Sequence, residues 1–196
     1  MTRKNRNILL FNGCFAHIIS RSIREEKVFK QNDDVYYFLN LLKKAKEKYA
    51  FNLFHYCLMQ THFHFVVQIL SMNNLAKALN YLKCRYVFYY HKKYKFSGPI
   101  WRERYRSLLI ENLEYLNACG QYVEYNPVKA GIVKDIEDWE FSSAKHYLGK
   151  GRDFLLESYE IPEIKNKVDY KKSEEFEEGD GIGGDVFKFK LRRDIK

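Results

Sequence analysis

His62-Phe63-His64 places two imidazoles two residues apart within FHYCLMQTHFHFVVQ, a run dense in aromatic and β-branched residues. Side chains alternate across a β-strand, so both histidines share one face while Phe63, Phe65 and Val67 point to the other. Their Cβ atoms then lie roughly 7 Å apart, twice the strand rise, a spacing that one metal ion can bridge. Two ligands are too few for a divalent ion, so a metal site needs a further oxygen or nitrogen donor from a distant segment. An HxH pair also serves ordinary strands as two hydrogen-bonded, partly buried histidines. The pair alone leaves both readings open.

A second cluster lies downstream, in QYVEYNPVKAG at residues 121–131. Tyr122 and Asn126 are four apart and on a helix share one face, so a hydroxyl and an amide oxygen can address the same target, one as nucleophile and one as ligand. Each also has an ordinary role. The chain has 16 tyrosines, and Asn before Pro is a good start for a new helix, since a residue preceding proline resists the helical conformation.

The charge distribution points to a polyanionic partner. The net charge is +9, and all of it lies in residues 1–162, with 25 basic against 16 acidic groups, because residues 163–196 balance nine against nine. Residues 77–106 hold nine basic residues, Arg85, Arg102, Arg104 and Arg106 among them, one acid (Glu103) and nine interleaved aromatics. That composition suits phosphates and stacked bases, and equally a helix with a solvated basic face. Four widely spaced cysteines without a CxxC pair give neither a zinc site nor a disulfide framework. The basic start lacks a signal-peptide core and no apolar run approaches a membrane span, so a cytoplasmic, non-membrane protein is expected.

The elements that must hold these residues follow from periodicity. A strand is expected over FNGCFAHII, residues 11–19, then a charged turn. A helix should begin at Asn32 or Asp33, with Val35, Phe38, Leu39, Leu42 and Ala45 on one face. Two strands turning at residues 59–61 follow. A second helix over residues 75–94 comes next, then a strand in RYRSLLI and a third helix opened by Glu111 or Asn112. The order β-α-β-β-α-β is that of the split βαβ, ferredoxin-like α+β arrangement: an antiparallel sheet with helices on one face, here followed by short C-terminal helices near Asn126-Pro127 and in SSAKHYLG. The fold hosts many functions and decides none. Beyond it, GDGIGGD reads as a flexible linker before a final helix in VFKFKLRRDIK.

In combination the motifs are specific. HIISRSI at residues 17–23, FHYCLMQTHFHFVVQ, IWRERYRSLLI, QYVEYNPVKAGIV and DWEFSSAKHYLG, in this order over about residues 11–150, resemble the single-tyrosine HUH transposases, and among them the REP-associated tyrosine transposases. The resemblance implies a catalytic domain over residues 1–150, with 151–196 a C-terminal extension. It implies a single-stranded DNA endonuclease and strand transferase acting at DNA hairpins through a 5′-phosphotyrosine. His62 and His64 take the metal ligands' places, Asn126 the third ligand's and Tyr122 the nucleophile's, with Mg²⁺ or Mn²⁺ as the cation. Arg21, Arg85, Arg102, Arg104, Arg106 and Lys129 are the expected DNA contacts, and both a monomer and a homodimer are compatible with the family. Thr61 stands where an Asn commonly precedes the first histidine and Gln60 where a Pro is common, which bears on how His62 is oriented. Tyr125, where an aliphatic residue is usual, receives no catalytic role. No GxxxxGK[ST] loop is present, in keeping with transesterification that needs no nucleoside triphosphate. Competing readings are an RNA-recognition-like binding module, for which no RNP1-like run exists, and an HUH replication or mobilisation nickase. A zinc hydrolase lacks HExxH.

Overall fold

A computed structural model describes residues 10–157; the expected linker and final helix lie outside the described residues. Strands β1 (Phe15–Arg21), β2 (Asn52–Met59), β3 (His62–Gln68) and β4 (Arg106–Ile110) form one antiparallel sheet in the order β2-β3-β1-β4. Helices α1 (Asn32–Tyr49) and α2 (Met72–Tyr94) supply the two crossovers, and α3 (Leu113–Lys129) and the short α4 (Ala144–Tyr147) follow β4. This is the ferredoxin-like α+β arrangement expected from the element order.

The crossover helices cover the face carrying Phe63 and Phe65. Phe38 of α1 is fully buried, with its ring 5.3 Å from Phe63 and 5.1 Å from Tyr86 of α2. Burying each such ring stabilises the fold by about 1.5–3 kcal/mol. Helix α3 takes the opposite face, where Leu116, Cys119, Tyr122 and Val123 pack on Cys57, Met59 and Val66. The histidine face is thus roofed by the helix that carries Tyr122.

Four boundaries depart from expectation for identifiable reasons. Strand β1 begins at Phe15, not Phe11, because Gly13 turns the chain at φ +92°, and it runs on to Arg21. Strand β4 begins at Arg106, two residues into RYRSLLI. The acid that closes the start of α1 is Asp34, whose carboxylate accepts the Lys30 and Gln31 N–H groups at 2.9 Å each, rather than Asn32 or Asp33. Helix α3, opened by Asn112 Oδ1 accepting the Tyr115 N–H at 2.8 Å, does not stop at Asn126. It continues through Pro127 to Lys129. Proline brings no N–H for the Val123 carbonyl, and Asn126 Nδ2 donates to that oxygen instead, at 3.3 Å.

The chain stays on the body past residue 150. Glu157 N donates to Leu53 O at 2.8 Å, and Tyr56 Oη donates to Asp153 Oδ2 at 2.6 Å. All four cysteines are free. Among the described residues no helix is long and apolar enough to cross a membrane.

Candidate active site

Pairing between β1 and β3 sets Arg21 opposite His62 and Ile19 opposite His64. His17, one step further along β1 on the same face, reaches His64 diagonally: its Nε2 lies 2.9 Å from His64 Nδ1. The His62 and His64 rings are 4.9 Å apart at 77°. Tyr122 descends from α3 edge-on to this group, with its ring 6.3 Å from His64 and 6.1 Å from His17. One turn later, Asn126 Nδ2 donates to Tyr122 O at 2.9 Å as well as to Val123 O. Both donor hydrogens are turned back onto the helix, so the amide oxygen is left for a ligand.

The donor set fits a cation. Thr61 Oγ1 lies 2.9 Å from His62 Nδ1, which leaves Nε2 as the His62 nitrogen available to a cation. Thr61 therefore supplies the partner that the resemblance left in question. His64 is fully buried and its Nε2 has no hydrogen-bond partner. Nε2 can carry either an N–H or a lone pair, and only the lone-pair tautomer can serve a metal. That tautomer puts the proton on Nδ1, which donates to His17 Nε2. Burial keeps His17 neutral, its pKa pushed down to about 3. Burial, and then Arg21, lower His62 to about 4. His64 is also held well below the ordinary histidine range by burial, then by His62, His17 and Arg21. Neutral imidazoles are the metal-binding form. No group of three or more His, Cys, Asp and Glu side chains among the described residues could hold a metal ion; the Asn126 amide, which lines the same cleft as His62, offers a further protein oxygen.

The site opens into a cleft of about 1030 Å³ that His62, Tyr122 and Asn126 line together with Arg21, Arg24, Arg102 and Lys129. Glu25 is the one carboxylate among the lining residues. Four cations around a phenol, an imidazole and an amide make a site suited to an anion. Lys129 Nζ sits 5.5 Å from the centre of the Tyr122 ring. Burial raises the Tyr122 phenol to about 12, with Cys119 adding to the rise and Arg21 opposing it.

Of the basic residues singled out from sequence, Arg21, Arg102 and Lys129 meet at the cleft. Arg102 is brought there by backbone pairing, its N–H donating to Arg21 O at 2.9 Å. Arg106 opens β4 opposite Ile19, on the α3 side of the sheet, with its Nε paired to Glu103 at 2.8 Å. Arg104 is exposed just before it. Arg85 is not brought to the site: it stands exposed on α2, across the sheet, over the Tyr81 ring at 5.7 Å. Sequence reasoning missed His17, Arg24 and Glu25. Arg24 and Glu25 carry left-handed backbone, at φ 50° and 56°, an uncommon conformation for non-glycine residues that gathers at functional sites. Lys83, one of the nine basic residues of the 77–106 run, is buried. Its Nζ donates to Ser20 Oγ at 2.7 Å and to the carbonyls of Glu103 and Arg104, clipping the 101–106 loop to β1.

Comparison with known proteins bears on the family and the fold. The chain matches the family described as "Transposase IS200 like" over residues 11–126. It is 32% identical over 117 residues, 54% of this chain and 66% of the other, to a protein of Haemophilus influenzae assigned as a REP-associated tyrosine transposase. The chain thus spans just under two thirds of that relative's length. Among solved structures, a REP-associated tyrosine transposase bound to a REP hairpin aligns with a TM-score of 0.63 at 17% identity, covering 84% of this chain and 96% of that one. This likeness establishes the shared fold.

Proposed function

The chain belongs to the IS200-like transposase family, and from that premise and the geometry of the cleft we propose that it cleaves and rejoins single-stranded DNA at hairpins, with Tyr122 as nucleophile. The observation that carries the reading is the convergence of Tyr122, His62 and Asn126 on one cation-lined cleft, with the orphaned His64 Nε2 behind them. A binding module of the same fold would leave that buried nitrogen without a purpose.

In the first step the Tyr122 oxygen bonds to phosphorus as its proton departs to solvent. The bond from phosphorus to the 3′ oxygen breaks, and that oxygen takes up a proton. The products are a 5′-phosphotyrosine and a free 3′-OH, and attack by a 3′-OH on the enzyme-linked phosphate reverses the exchange. With a pKa near 12, ionising the phenol at pH 7 costs about 7 kcal/mol, so attack depends on positive charge at the phosphate. His62, His64 and Asn126 would hold a Mg²⁺ or Mn²⁺ ion, which supplies polarisation of a non-bridging phosphate oxygen when bound. Arg21, Arg102 and Lys129 grip the flanking phosphates and fix the strand's register, and Arg104 and Arg106 extend the basic track along the β4 edge. The interaction with hairpin DNA is the one named for the related solved protein.

The test is cleavage of labelled single-stranded hairpin DNA, taken from around the protein's own gene, by the wild type and His64→Ala, with Mn²⁺ or with EDTA. The reading predicts cleavage only with metal, and a loss of at least about 100-fold in His64→Ala with the fold retained. Undiminished cleavage by His64→Ala would remove the metal site.

A further inference from the structure

Helix α3 is gripped from the flank opposite Tyr122 by side chains that do not line the cleft, and four observations converge on His55. First, β2 carries a bulge: Leu53 pairs with Val67 and His55 with Val66, so the extra residue between them turns His55 onto the α3 face. Bulges re-aim side chains in this way next to active sites. Second, His55 Nδ1 lies 2.9 Å from Glu124 Oε1, and this carboxylate is buried two residues past Tyr122. Third, Ser143 Oγ donates to the same oxygen at 2.6 Å and accepts the Tyr56 N–H at 3.0 Å, tying the segment before α4 into the contact. Fourth, the His55 ring fills the space a side chain would need at Gly120: a Cβ there would stand 2.4 Å from both Cε1 and Nε2. Tyr147 closes the other side of the ring, stacked at 4.3 Å.

Gly120 and Glu124 lie one turn apart on one flank of α3, while Cys119 and Val123 rest on the sheet and Tyr122 leaves from the other flank. A roll of about 20° around the helix axis would carry the Tyr122 hydroxyl roughly 3 Å from its place beside the histidines. Apolar packing by itself permits such a roll. A buried carboxylate shared by an imidazole and a hydroxyl is directional and does not, although apolar residues in its place are often as stabilising or more so.

We propose that His55, Glu124 and Ser143 form a clamp that sets the roll of α3 and so places Tyr122 for attack, an inference that rests on Tyr122 being the nucleophile. They are positioning residues. The SSAKHYLG motif, which the cleavage reading leaves without a role, contributes Ser143 to the clamp and Tyr147 to the stack that backs the His55 ring.

Gly120→Ala in the full chain tests the clamp, because the added methyl suits a helix, does not line the cleft and collides with His55. The clamp predicts that adduct formation at saturating hairpin DNA slows at least about tenfold while DNA affinity stays within about twofold. A 3-fluorotyrosine placed at position 122 should show a shifted ¹⁹F resonance. Adding His55→Asn, whose amide can donate in place of Nδ1 and lacks the ring atoms facing position 120, should bring the rate back to within about threefold of wild type. A wild-type rate with an unmoved resonance overturns the proposal. So does a rate loss matched by the loss of DNA affinity and unrelieved by His55→Asn. If Gly120→Ala does not fold, Ser143→Ala carries the same rate and resonance test. If the wild type itself forms no adduct, the nucleophile reading falls, and the fluorine shift alone decides whether the clamp places Tyr122.

Discussion

His17 does not line the cleft, yet by engaging His64 Nδ1 it leaves Nε2 as the His64 nitrogen for the proposed metal. Buried and neutral, it can only accept from His64 Nδ1 if Nε2 is to carry a lone pair. His17→Phe fills the space and removes that acceptor, so the Mn²⁺ concentration giving half-maximal cleavage should rise by about 10–100-fold. A titration of cleavage against Mn²⁺ measures this directly, and an unchanged midpoint would mean that His17 only packs. At this scale the sequence was legible wherever chemistry lies in local spacing. His62 and His64 share a face by strand parity, and Tyr122 and Asn126 by helical period. His17 was hidden because its contact depends on the register of β1 against β3, across 47 residues of chain, which no local pattern encodes. Thr61 was visible as an unusual neighbour of His62, though not as the group that holds its Nδ1.

Elements carry the site by two devices that run against local rules. Asn126-Pro127 reads as a helix start, and in isolation it would be one. Here the Asn126 amide serves the carbonyl that proline leaves unpaired, so α3 continues and Asn126 keeps its place one turn beyond Tyr122. The second device is Lys83. Burial pushes its ammonium down to about 8, which leaves it charged at neutral pH, donating to Ser20 and to two carbonyls of the loop that precedes β4. Lys83→Met, similar in length and apolar, should cost about 1.5–3 kcal/mol in urea denaturation. By loosening Arg102 it should also lower the salt slope of hairpin binding by about one. Lost stability with an unchanged salt slope would show that Arg102 does not contact phosphate. The two amphipathic helices and the hairpin were legible from period alone. That one buried lysine in a basic run is structural was not, because a lysine's burial is set by tertiary packing.

For the molecule as a whole, the sheet divides labour between its faces. One is an aromatic core under α1 and α2; the other is the histidine face under α3. The first is anchored by Asp34, which accepts from Tyr89, Lys93 and Tyr94 across the α1–α2 contact. Burial pushes its carboxyl up, but the bonds from Lys93, Tyr94, the Gln31 backbone and Tyr89 outweigh this, and it titrates below its ordinary 3.8. Its stabilisation is therefore complete above the unfolded carboxyl's pKa and is lost as pH falls through the lower folded value. Asp34→Asn should reduce stability at pH 7 by about 3–5 kcal/mol and flatten the acid limb of a thermal-melting profile below about pH 4. An acid limb identical to that of the wild type would place the acid-sensitive group elsewhere. The division of faces was implicit in strand parity. That α3 covers the second face was not, because a helix following β4 can return to either side.

The central claim is that Tyr122 becomes covalently joined to DNA, and its most direct measurement is a denaturing gel of the full chain incubated with 5′- and 3′-labelled hairpin DNA and Mn²⁺, with the shifted species mapped by peptide mass spectrometry. The account predicts a metal-dependent adduct that retains the label on the 3′ side of the cut, maps to the peptide containing Tyr122 and vanishes in Tyr122→Phe. Tight hairpin binding without any adduct, or an adduct that survives Tyr122→Phe, would contradict it.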